Sequence, residues 1–119
     1  MPSSEVSLTI PAKGDYVVLA RLALSAVCRL TSLRPEDVAD LKLAITEAAG
    51  RVVGRDPRKR LAFTYRLEDD RLLLEIAGPG EPGDDADPEL GRAIVAATVD
   101  EHSEGDGRIT LVKYLYQGE

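Results

Sequence analysis

The run Leu41-Lys42-Leu43-Ala44-Ile45-Thr46-Glu47-Ala48 reads as the middle of a long helix. Working outward from it, Val38, Leu41, Ile45, Ala48 and Val52 recur at spacings of three and four, which places them on one buried face. On the N-terminal side, Thr31-Ser32-Leu33-Arg34-Pro35-Glu36 is a helix start. Hydroxyl residues precede a proline that suits the first turn, and Glu36 and Asp37 favour the positive end of the helix dipole. Gly54-Arg55-Asp56-Pro57 stops the run, so a helix is expected from Pro35 to Val53.

Upstream, Asp15 to Leu30 is an unusually apolar helix whose polar residues Arg21, Ser25 and Arg29 are spaced by four and form one narrow stripe. Before it, Val6, Leu8 and Ile10 alternate with Ser7 and Thr9 as a short strand, ended by Pro11 and Gly14. Downstream, Leu61, Phe63, Tyr65 and Leu67, then Leu72, Leu74 and Ile76, mark two strands joined at Glu68-Asp69-Asp70 as an antiparallel hairpin. The segment from Gly78 to Pro88 holds no apolar residue larger than Ala or Pro and is a loop. Leu90 to Val99 is a third helix, with Leu90, Ile94 and Ala97 towards the core. A weaker strand falls around Val99 to Ser103, and Ile109 to Tyr116 closes the chain after the turn Gly105-Asp106-Gly107. This order predicts one domain over residues 1–119: a two-layer α/β sandwich, its sheet mixed but mostly antiparallel, with the helices on one face.

Composition narrows the function. Hydrophobic residues make up 44% and aromatic residues 4%, so the core is aliphatic. A net charge of -6 disfavours nucleic acid as a direct partner, because neutralising phosphates requires a cationic surface. Met1-Pro2-Ser3-Ser4-Glu5 has no basic segment followed by an apolar run, no stretch is long enough to span a membrane, and Cys28 is the single cysteine. A cytoplasmic protein is expected. His102 is the one histidine and has no ligand spacing around it, and the run Asp84-Asp85-Ala86-Asp87 lacks the spacing of a calcium loop.

The quoted helix resembles the one that carries the first ATP-site motif of the anti-sigma-factor serine kinases, members of the histidine-kinase-like ATPase superfamily. Ala20-Arg21-Leu22-Ala23-Leu24-Ser25 is similar to that family's first helix. Asp70-Arg71-Leu72 with Ile76-Ala77-Gly78-Pro79-Gly80 is similar to its strand and glycine loop, and Thr110 to Leu115 to its terminal strand. The resemblance implies the histidine-kinase-like ATPase fold and a place in partner switching, with a sigma factor or an anti-anti-sigma protein as partner and a homodimer as the assembly. It also implies that Arg21 contacts the partner, and Ser25 and Arg29 extend that stripe.

The ATP site departs from the family pattern in three places. Glu47 stands at the general-base position, but the magnesium-holding asparagine four residues on is Arg51. Magnesium takes oxygen ligands, and a guanidinium has donors only. Gly80 of the glycine loop is kept, whereas the aspartate that accepts the adenine amino group is replaced by Gly78. The connection over residues 81–88 is short and acidic, with Glu81, Asp84, Asp85 and Asp87. Of the glycine turn that receives the phosphates only Gly91 remains, Glu89 standing where another glycine is expected. No cofactor, no metal and no active catalytic residue are therefore expected. Arg51 is open to two readings, an i,i+4 ion pair with Glu47 or a cation that replaces magnesium at the phosphates. The rival function is a divergent but active serine kinase that uses ATP and magnesium to phosphorylate an anti-anti-sigma protein.

Overall fold

The structure, a computed structural model, describes residues 4–84 and 86–116. Asp85 of the acidic run and residues 1–3 of the segment read for a leader lie outside them, as do residues 117–119. Strand β1 (Ser4–Pro11) leads through a short 3-10 turn (Gly14–Tyr16) into helix α1 (Val17–Cys28), followed by α2 (Pro35–Val52). Strands β2 (Arg60–Leu67) and β3 (Arg71–Ala77) form the expected hairpin. Helix α3 (Pro88–Thr98), β4 (Glu101–Gly105) and β5 (Arg108–Tyr114) complete the chain.

The five strands are ordered β1-β2-β3-β5-β4. The expected mixed sheet is corrected here, because all four pairings are antiparallel. The crossover through α3 does make β3 and β4 run in the same direction, but β5 folds back between them and pairs with both. Strand β4 begins two residues later than its sequence pattern suggests. Val99 still ends α3, with its amide bonded to the Val95 carbonyl, and pairing begins as the Asp100 amide meets Val112.

Alternation holds where it matters. Leu61, Phe63, Tyr65, Leu72, Leu74, Ile76, Ile109 and Leu111 face the helices and are almost wholly buried. Each such aliphatic or aromatic side chain contributes about 2 kcal/mol by leaving water. The Tyr65 hydroxyl, buried with its ring, donates to the Ala20 carbonyl at 2.8 Å and so fastens β2 to α1 without an unsatisfied polar group. Helix α2 lies at the centre of the helical layer, with Leu41, Ala44, Ile45, Ala48, Ala49 and Val52 buried. Its N-terminus is held by Asp37, whose Oδ2 accepts the Arg34 amide at 3.1 Å.

Helix α3 is rotated from its predicted facing. Gly91, Val95 and Thr98 are buried, while Leu90 and Ala97 are exposed and Ile94 is half-buried. Tight approach to α2 favours the row containing Gly91, which has no side chain to hold the helices apart. This rotation puts Gly91 against the functional end of α2.

Candidate functional site

Glu47 and Arg51 are one turn apart on α2, under the start of α3. A Cβ on Gly91 would stand 3.3 Å from both the Arg51 Cδ and the Glu47 Oε1. Arg51 is buried, yet it does not make the i,i+4 ion pair with Glu47. Its Nη2 pairs with Oε1 of Glu104 on β4, and Arg92 Nε approaches the same oxygen at 4.0 Å. Burial first, and then the positive charge of Arg92, lower the Arg51 pKa from its ordinary value. Even so, a guanidinium in this setting remains a donor-only cation. Among the described residues no group of three His, Cys, Asp or Glu could hold a metal ion.

The glycine loop is stitched to the C-terminal end of α2. The Gly80 amide donates to the Val52 carbonyl at 3.1 Å and the Gly83 amide to the Gly50 carbonyl at 2.8 Å. The Gly54 amide, from a residue with φ of 68°, returns a bond to Glu81 at 2.7 Å. These loop amides satisfy carbonyls that the end of the helix would otherwise leave without partners. Gly78, where the resemblance would place an adenine-reading aspartate, is closed in by this arrangement. A Cβ there would lie 2.5 Å from the Val52 carbonyl oxygen and 2.9 Å from Leu61 Cδ1. No aspartate fits without moving the backbone.

At α3 the helix N-terminus is already occupied by the chain's own carboxylate. Asp87 Oδ1 accepts the Leu90 amide at 3.2 Å, and Pro88 supplies no N–H in the first turn. Glu89 is exposed in that turn. Between the turn after β1, α2 and this loop lies a cavity of about 650 Å³, lined by Lys13, Asp15, Glu47, Arg51, Arg55 and Asp84 among others. Its charges are largely spoken for: Lys13 pairs with Asp15 at 3.4 Å and Arg55 with Asp84 at 2.8 Å. The donor set present does not fit magnesium nucleotide of the family type. Where the resemblance places the metal's ligand stands the Arg51 cation, where it places the adenine-reading aspartate stands the closed-in Gly78, and at the start of α3 the amide is taken by Asp87.

The histidine kinase-like ATPase domain family matches residues 10–115. This chain belongs to that family. The serine-protein kinase RsbW of Bacillus pumilus (strain SAFR-032) is 32% identical over 118 residues, covering 92% of this chain and 73% of that protein. The serine-protein kinase RsbW of Bacillus velezensis is 29% identical over 116 residues, covering 92% and 72%. Its counterpart in Bacillus cereus (strain AH187) is 32% identical over 79 residues, so there the chain spans about half (49%) of the relative's length. The resemblance to anti-sigma-factor serine kinases and the fold it implied are thus borne out.

In this histidine kinase-like ATPase fold α1 forms an outer wall. Arg21 is exposed and Ser25 half-buried on the helix, and the exposed Arg29 caps its end. The helix buries Val17, Ala20, Leu24, Val27 and Cys28. Its exposed face is broader than the polar stripe alone, because the apolar Val18, Leu19 and Leu22 are 50%, 43% and 62% exposed beside Arg21. Sequence reading missed Glu104, Arg92, Lys13 and Arg55. Glu104 is more than fifty positions from Arg51, and no local spacing signals their pairing.

Proposed function

We propose that this protein is a partner-switching regulator of the anti-sigma type that binds a sigma factor or an anti-anti-sigma protein through α1, and that it no longer binds ATP or transfers phosphate. The observation that carries the reading is the burial of Arg51 against Glu104 at the position where the family holds its metal. Support for the docking face comes from Arg21 beside the exposed Val18, Leu19 and Leu22. We place the protein in the cytoplasm as a homodimer formed along a sheet edge. Strand β1 lies at one margin of the sheet and can pair there. No helix among the described residues is long and apolar enough to cross a membrane.

The competing reading, an active divergent serine kinase, has the cavity beside Glu47 in its favour. Titration calorimetry with ADP and ATP, with and without magnesium, separates the two. No heat of binding is expected, whereas micromolar affinity together with Glu47-dependent phosphate transfer would establish the kinase instead. Docking is tested by mixing the protein with candidate sigma and anti-anti-sigma proteins. Wild type should form a complex that Arg21→Glu abolishes, and unchanged binding by the variant would remove α1 from the interface.

A further inference from the structure

Nine of the fifteen lysines and arginines are in salt bridges with carboxylates. The other six, Arg21, Arg29, Arg34, Lys42, Lys59 and Arg60, have no such partner among the described residues, and the first four lie on α1, its connection to α2 and the first half of α2. A groove of about 430 Å³ opens between the two helices, lined chiefly by Ser25, Cys28, Arg29, Leu33, Val38 and Lys42. Its floor is apolar and its rim carries two cations without anions, in a protein of net charge -6. Glu36 and Asp40 belong to α2 but do not line it, and Asp37 is engaged by Lys113 at 3.7 Å.

The groove is preformed. Thr31 Oγ1 donates to the Cys28 carbonyl at 2.7 Å and accepts the Leu33 amide at 3.1 Å, which fixes the connection that forms one wall. A rigid wall reduces the ordering cost of docking a segment against it.

We infer that this groove receives an acidic, amphipathic segment of a protein partner, with a carboxylate between Arg29 and Lys42 and an apolar side chain on Leu33 and Val38. The inference rests on the partner-binding reading above and extends it from the outward stripe of α1 to a second helix, adding Lys42 to the contact. Opposite charge at the rim selects the partner and steers its approach, and the apolar floor supplies the burial.

The test uses the full chain and a defined probe, an acetylated and amidated peptide of Glu and Leu at helical spacing, with a Lys–Leu peptide of the same pattern as control. Amide shifts followed by NMR should move at Ser25, Arg29, Leu33, Val38 and Lys42 with the acidic peptide only. Replacing both cations, Arg29→Glu with Lys42→Glu, should weaken it by about tenfold or more. Arg29 is exposed and Lys42 half-buried, and an unchanged thermal midpoint checks that the variant is folded. Equal binding of both peptides, shifts centred elsewhere, or no shifts would overturn the groove assignment. The two levels fail separately. A sigma or anti-anti-sigma protein that binds wild type and the Lys42→Glu variant equally removes the groove and leaves the function. Acidic-peptide binding without either protein binding does the reverse.

Discussion

Arg51 on α2 and Glu104 on β4 form an ion pair in which the cation is buried and the anion is partly open to water. The arginine stem runs against Gly91 of α3, so the pair ties together the central helix, the third helix and the edge of the sheet. In an intact family site this volume would hold an asparagine and its metal. Here it holds a buried arginine paired with Glu104.

The first prediction concerns this pair. Glu104→Ala leaves the Arg51 guanidinium buried without its ion-pair partner, with the like charge of Arg92 beside it. Urea denaturation should show a loss of about 1–2 kcal/mol, less than for a fully buried pair because Glu104 is already partly solvated. Arg51→Asn recreates the family residue, yet calorimetry should still detect no magnesium nucleotide, since Gly78 and Asp87 are unchanged. Nucleotide binding by that single variant would show that Arg51 alone closes the site.

Restoring the missing aspartate should fail for a steric reason. Gly78→Asp drives a Cβ to 2.5 Å from the Val52 carbonyl oxygen, against backbone that cannot rotate away. A destabilisation of about 3 kcal/mol is expected, read as a lower urea midpoint. A variant as stable as wild type would mean that the glycine loop detaches from α2 at little cost.

Alkaline pH should weaken the fold through two buried acids. Burial pushes the Cys28 thiol from an ordinary 9.0 up to about 11, with the Lys42 charge only partly opposing it, and burial likewise pushes the Tyr65 phenol well above its usual range. Between pH 9 and about 11 the unfolded chain has released the Cys28 proton while the folded chain retains it. Stability from this group is therefore complete below pH 9 and is lost as pH rises towards 11. Chemical denaturation across this range should show a decline that Cys28→Ala makes shallower. Alkylation of Cys28 by iodoacetamide should be slow at neutral pH and become fast on unfolding.

Acid should act at the start of α2. Desolvation alone would raise the Asp37 carboxyl, but the Arg34 amide, Tyr116 and the charges of Lys113 and Arg34 outweigh it, and the net shift is downward from 3.8. A lowered pKa contributes stability above the unfolded value that disappears as pH falls through and below it. Asp37→Ala should cost about 1–2 kcal/mol at neutral pH, through the lost cap and the lost partner of Lys113, and the difference from wild type should shrink below pH 4.

Sequence alone determined the elements and the family, because periodicity is local and because Glu47, Gly80 and Gly91 keep family spacings along the chain. The same local reasoning located Arg51 and Gly78 as the points of departure. What they do in the molecule was decided only by tertiary structure. Arg51 turned away from Glu47, four residues off, towards Glu104, which the crossover through α3 delivers to it. Gly78 became irreplaceable because the loop amides close onto the last carbonyls of α2. Helix α3 presented Gly91 and Val95 inward, rather than Leu90, because close approach to α2 outweighed the burial of one leucine. Side-chain partners distant in sequence and the rotation of a helix about its axis depend on packing across the whole layer, and no window of residues contains that information.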